Sequence, residues 1–130
     1  DFGQAQHDFI RRTHYRPAVL ALRARTGLDA ETRARAVRDA VWSVAVQHGG
    51  AVRILAAAVE AADALHPRDH EEYDRTLIEA IYAQRRTYVL EVAQRSAPAA
   101  RRTLVSLTRN RYPAELQAAL AMLEKDALPA

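Results

Sequence analysis

Apolar residues recur every three or four positions along most of the chain, and no run alternates apolar and polar residues between turn residues, so the pattern predicts helices and no strands. The first helix, from residue 2 to about 15, places Phe2, Ala5, Phe9 and Ile10 near helical spacing. Pro17 ends it or opens the next one, since proline is tolerated in a first helical turn. The second helix carries Val19, Leu20 and Leu22 and stops at Gly27. Asp29 is placed to cap a third helix over about 30–48. Ala34, Val37 and Val41 make a stripe in its first half, whereas its second half, residues 40–46, is apolar on every side. A helix of that kind is expected to be buried all round, at the centre of the fold.

Beyond Gly49-Gly50, a fourth helix sets Val52, Leu55, Val59 and Ala62 on one face. His66-Pro67-Arg68 reads as a loop, and Asp69 with Glu72 three residues on resembles a capping box. The fifth helix carries Tyr73, Leu77, Ile81, Tyr88 and Val92, and either runs to Ala93 or breaks near Arg85-Arg86. A sixth opens at Pro98 with Leu104, Val105 and Thr108 inward. A seventh opens at Tyr112-Pro113 with Leu116, Ala119, Leu120 and Leu123 inward. The expected fold is all-α, about seven helices packed around a buried central helix.

Composition agrees. A chain of 130 residues, 49% hydrophobic, with 4 Gly and 5 Pro, suits one helical domain with a core of Leu, Val, Ile and Ala. No stretch reaches the roughly 20 apolar residues of a membrane span. With no Cys, disulfides and thiolate metal sites are excluded. The chain starts Asp-Phe-Gly, without an initiator Met or a secretory leader, and is expected to be a piece of a longer protein. The net charge of +3 comes from 19 Lys and Arg, of which only Lys125 is lysine. These cations are interleaved with acids and point to no nucleic-acid partner.

His66 and His70 are four apart, but Pro67 breaks the helix that would set both rings on one face; with His7 and His14 they give no metal site, and no cofactor is expected. Gly49-Gly50 lacks the Lys and Ser/Thr of a phosphate loop. Arg85-Arg86-Thr87-Tyr88 and Arg109-Asn110-Arg111-Tyr112 read as solvated helix ends. Gln47-His48 differs, because it closes an otherwise apolar helix and buried amide and imidazole groups need partners. The pair either bonds to backbone or Tyr hydroxyls in the core, or forms the polar floor of a cleft.

Several spaced strings carry a resemblance. Gln4-Ala5-Gln6-His7-Asp8-Phe9-Ile10 with Thr13-His14-Tyr15 and Pro17 is similar to "QAQHDFI…THYDP", and Val41–Gly49 to "VWSTAVQHG". Leu77–Ala83 is similar to "LIRAIYAER", and Asn110 with the helix after it to "RNE…AL.ML". These strings belong to lysozyme-like and chitosanase-like peptidoglycan hydrolases of phage tail proteins and type VI secretion spike effectors. The resemblance implies a lysozyme-like helical lobe and a secreted antibacterial enzyme that cuts the glycan strand of peptidoglycan, muramidase-like, in the periplasm of a target cell. Two carboxyl groups would flank the scissile bond. The family's acid Glu lies in an "ESGG"-like segment ahead of these strings, so residues 1–130 are expected to be the C-terminal part of the hydrolase domain. Arg16, Gln84 and Arg111 stand where the pattern has Asp, Glu and Glu. Asp8 is then the acid to test first, and His14, Tyr15, Gln47, His48 and Tyr82 are the expected cleft residues. Implied partners are the glycan strand and an immunity protein. The alternative is a catalytically incomplete helical module that binds peptidoglycan or a partner protein.

Overall fold

The three strongest helical runs pack face to face. α3 (Arg35–Gln47), α4 (Ala51–Leu65) and α5 (Tyr73–Gln94) each bury a continuous stripe of Ala, Val, Leu and Ile. α4 and α5, joined by the loop at 66–72, share the most extensive contact, and α3 lies against both. Val37, Val41, Val44, Leu55, Val59, Leu77, Ile78 and Ile81 are all but sealed from solvent and form the core. Burying side chains of that size stabilises by about 1.5–3 kcal/mol each relative to exposure. The structure, a computed structural model, describes residues 1–128.

The N-terminal and C-terminal elements are long rods. α1 (Phe2–Ile10) continues through a π-turn, Arg11–Tyr15, into α2 (Arg16–Thr26). α6 (Pro98–Ser106) continues through a second π-turn, Leu107–Arg111, into α7 (Tyr112–Ala127). Neither Pro17 nor Pro113 therefore breaks the chain direction. A proline inside an α-helix removes one hydrogen bond and crowds the carbonyl four residues back. Here a wider turn absorbs that conflict: the last π bond, Arg16 N–H to Arg11 C=O or Tyr112 N–H to Leu107 C=O, falls just before each proline. The seven α-helical segments are thus carried on five continuous rods, and no strand is present among the described residues.

Local signals fared unevenly. Gly27 closes α2 in the left-handed conformation, φ 79°. Asp29 instead caps a short 3-10 turn, Ala30–Thr32, and α3 begins only at Arg35. The Ala34 N–H ahead of α3 is satisfied from across the fold by Asp74 Oδ2, at 3.2 Å. The capping box at Asp69 does not form. α5 starts at Tyr73, and the Glu72 N–H donates to His70 Nδ1 at 3.0 Å. The His66 and His70 rings stack, with centroids 4.2 Å apart, brought together by the loop rather than by a shared helix face. α3 is buried along one broad face, not all round: Val46 is 41% exposed and Trp42 half-buried.

Two arginines tie the 26–34 connection to the α4–α5 loop. Arg33 donates to Asp74 Oδ1 (2.8 Å) and the Arg68 carbonyl (3.0 Å). Arg68 forks onto both oxygens of Asp63 (3.1 and 2.9 Å) and reaches the Thr26 carbonyl at 2.8 Å. Tyr73 completes the set, donating to Asp63 Oδ1 at 2.7 Å under the Arg33 guanidinium. The Arg68 and Tyr73 bonds hold the Asp63 carboxyl below its usual range.

Candidate functional site: a cleft built on a buried arginine

Gln47 and His48 end α3 where it meets the middle of α5, and their partner there is Arg85. This side chain is the largest one fully buried in the molecule. It sits on the stripe Ile78, Ile81, Arg85, Val89, spaced three or four apart, so helix geometry drives it into the core between Ile81 and Val89. It is neither a solvated helix end nor a break, as α5 runs unbroken through it. A buried guanidinium is tolerated only when its N–H groups find acceptors. Here Nε donates to His48 Nε2 at 2.9 Å, Nη1 to Ser43 Oγ at 3.0 Å and Glu115 Oε2 at 3.4 Å, and Nη2 to Gln47 Oε1. The Tyr112 ring stacks against it at 4.4 Å, with Tyr82 at 5.6 Å.

Glu115, on α7, gathers the other side of the network. Its Oε2 also accepts from the Tyr82 hydroxyl at 3.2 Å, and its Oε1 from Arg111 Nε at 2.6 Å. Both carboxylate oxygens are thus engaged by donors. Burial first, and then the Glu115 charge, push the Tyr82 hydroxyl up to about 12. His48 moves the other way: burial, then the charges of Arg85 and Arg111, bring its pKa down to about 4. It is therefore a neutral ring at physiological pH, accepting from Arg85 through Nε2. The Tyr112 hydroxyl lies 3.5 Å from the same nitrogen, and the Tyr88 ring meets the imidazole edge-on at 5.4 Å.

Gln47, His48, Tyr88, Arg111 and Tyr112 open onto a cleft of about 480 Å³, walled on its apolar side by Val89, Val92, Leu104 and Leu107. A volume of this order accommodates a small ligand. The two sequence alternatives for Gln47-His48 thus merge. The pair is bonded into the core and also faces a cleft; its main partner is Arg85, with the Tyr112 hydroxyl as a longer contact to His48. Gly50 lies beneath the Tyr88 ring, where an added Cβ would come within 3.2 Å of it. No acidic side chain lines this cleft.

The other expected cleft residues lie elsewhere. Tyr82 is in the network through Glu115, behind Tyr112 rather than on the cleft wall. Tyr15 is buried against the half-buried Trp42, ring centroids 5.1 Å apart, and burial with the Glu31 charge raises it to about 12. His7 stacks on the same indole at 4.8 Å. His14 is exposed, its Nδ1 2.7 Å from Thr13 Oγ1. Asp8 is exposed on α1, accepting from Gln4 Nε2 at 2.9 Å. The strings that carry the resemblance therefore feed two clusters along α3, one around Trp42 and one around Arg85. Arg85, Tyr88, Arg111 and Tyr112, which the sequence placed in solvated helix ends, belong to the site instead, and Ser43 and Glu115 join them without having been expected there. Among the described residues no group of three His, Asp or Glu converges as a metal site would require.

The chain belongs to the family described as type VI secretion system spike protein VgrG3-like, C-terminal, which matches residues 1–112. Over 55 residues, 42% of this chain, it is 42% identical to the type VI secretion system spike protein VgrG3 of Vibrio cholerae serotype O1 (strain ATCC 39315 / El Tor Inaba N16961). That stretch spans 5% of the relative's length. No solved structure matches the chain. No helix among the described residues is long and apolar enough to cross a membrane.

Proposed function

We propose that this chain is the C-terminal part of an antibacterial peptidoglycan hydrolase, muramidase-like, secreted by the type VI system and acting on the glycan strand in the periplasm of a target cell. Membership of the spike-protein family supports delivery. The observation that carries the glycan reading is the cleft itself. It sets the Tyr88 ring, suited to the C–H face of a sugar, beside Gln47, a neutral His48 and Arg111 as hydrogen-bonding groups for hydroxyl and acetamido substituents. Arg85 cannot reach a ligand itself. It fixes Gln47, His48 and Tyr112 so that a sugar meets a preformed surface.

Glycan cleavage needs a protonated carboxyl at the leaving oxygen and a second carboxylate that activates water or attacks the sugar. In this reading the acid comes from a segment ahead of Asp1 in the parent protein. Asp8 is the acid this chain offers, beside the His7–Trp42 stack, and His14, Tyr15 and Tyr82 support the walls. The test is release of soluble muropeptides from purified sacculi by the whole spike protein. Wild type should release them, and His48→Ala and Tyr88→Ala should slow release at least tenfold without unfolding. No release by folded wild type overturns the reading.

The acid-free lining also supports a second reading, a binding module for peptidoglycan or an immunity protein. Retention of the 130-residue chain on insoluble sacculi, with no muropeptide release by the whole protein, would select it.

A further inference from the structure

Charge along this chain is divided unevenly. Of 19 cationic and 16 acidic residues, five arginines and no acid lie between Val92 and Ala114, leaving 14 cations against 16 acids in the rest. The whole positive excess therefore belongs to one short stretch, from Arg95 at the end of α5 through α6 and its π-turn. α6 buries none of its residues. Leu104 of α6 and Leu107 of the π-turn face the cleft. On another face Arg101, Arg102 and Arg109, with Val105, Ser106 and Asn110, line a groove of about 370 Å³. Arg101 is fastened by its Nε and Nη2 to the Ala93 and Ser96 carbonyls, at 3.2 and 3.1 Å, which pins the start of α6 to the end of α5. Neither Arg102 nor Arg109 pairs with a carboxylate among the described residues; other arginines are unpaired too, but these two share one groove that no acid lines. Arg111, one turn from the groove on the same π-turn, lines the cleft. Cleft and groove are thus two sides of one element.

We infer that the α6 groove is a docking surface for the peptide-stem carboxylates of peptidoglycan, holding the substituents that flank a glycan strand lying in the cleft. This rests on the glycan reading above and narrows its substrate to peptide-bearing strands. Guanidinium groups free of internal partners suit carboxylates, which they bind through paired N–H donors. A neutral glycan has nothing to offer Arg102 and Arg109. A polymer with a carboxylate on each stem meets a surface from which acids are absent.

The experiment is co-sedimentation of the 130-residue chain with intact sacculi and with sacculi stripped of their free carboxylates by carbodiimide-mediated amidation, which leaves the cross-links whole, at low and moderate salt, with an arbitrary DNA duplex as a competing polyanion. The groove variants Arg102→Gln/Arg109→Gln and Arg102→Glu/Arg109→Glu change exposed positions, and their helicity is checked by circular dichroism. Intact sacculi should retain the chain at least tenfold better than stripped ones. The Gln pair should reduce that advantage and the Glu pair abolish it, while weak retention on stripped sacculi is unchanged. Moderate salt should weaken retention on intact sacculi alone. Equal retention on intact and stripped sacculi overturns the docking surface and leaves the glycan reading standing. Retention on neither overturns both. Preferential capture by the duplex, lost in the same variants, reassigns the groove to nucleic acid and also overturns the proposal.

Discussion

Arg33 and Arg68 on one hand, and Arg85 on the other, each bind several parts of the chain together, yet they are neutralised in different ways. Arg33 and Arg68 each meet a carboxylate at close range, 2.7 Å to Asp74 and 2.9 Å to Asp63, with all four side chains partly in solvent. Arg85 has no exposure, and its one carboxylate, Glu115, lies 3.4 Å away and shares its oxygens with Tyr82 and Arg111. Its closer acceptors are an imidazole, a hydroxyl and an amide. The first arrangement is what a clasp between loops needs. The second spreads one charge over groups that also face a cleft, so the same arginine that completes the core sets the posture of Gln47, His48 and Tyr112. The difference teaches that stability and site geometry are separable in the clasp and inseparable around Arg85.

The largest test of that contrast is Arg85→Ala, which leaves Ser43, Gln47 and His48 Nε2 without their arginine donor and opens a void. It should cost about 3–5 kcal/mol in urea unfolding. Arg85→Lys, which keeps the charge but not the fork, should recover less than half. Full recovery by lysine would show that charge alone matters there. Asp74→Ala comes next, removing the acceptor for Arg33 and for the Ala34 N–H, and should cost about 2–3 kcal/mol while leaving retention on sacculi unchanged. A change in retention would break the separation drawn above.

Acidification should act on the Arg85 region first. The folded pKa of His48, about 4, lies below the value of about 6.5 it would have unfolded, so the unfolded chain binds more protons between those limits. Its contribution to stability is full above about pH 6.5, falls as pH drops, and is gone below about pH 4, a loss of about 3 kcal/mol that solvent screening of the half-buried ring reduces to about 2 kcal/mol. His48→Gln should flatten that part of the pH–stability curve, and an unchanged slope would remove His48 from the account. The smallest effects are those of the hydroxyls. Tyr73→Phe and Tyr82→Phe should each cost about 1 kcal/mol, but only Tyr82→Phe should also alter glycan retention.

Much of this was legible in the residue pattern. The seven helical segments follow from spacing, because the core stripes of α3, α4 and α5 are nearly pure Ala, Val, Leu and Ile. Arg85 was legible too, but in a way easily misread. Beside Arg86 it looks like half of a basic pair, yet it occupies a core position three to four residues from Ile81 and Val89. A charged residue on an apolar stripe, with a polar pair seeking partners elsewhere, predicts a buried network. What spacing could not supply was the third dimension of the caps. Asp74 serves the start of α3 from 40 residues away, while the nearby Asp29 caps only a short turn. The prolines misled for a related reason, since their cost was absorbed by a backbone adjustment that no side-chain pattern records.

That adjustment bears on how the cleft came to exist. An α-helix advances by about 100° per residue, and the turn at Leu107–Arg111 holds one residue more than regular winding would. Tyr112 and Glu115 therefore point at Arg85 because of a phase offset rather than because of their own chemistry. Shortening that turn by one residue would keep every functional group and nearly all the helix content, yet swing both side chains about a quarter-turn off target. In this molecule the count of residues along a rod is as much a determinant of the site as their identity.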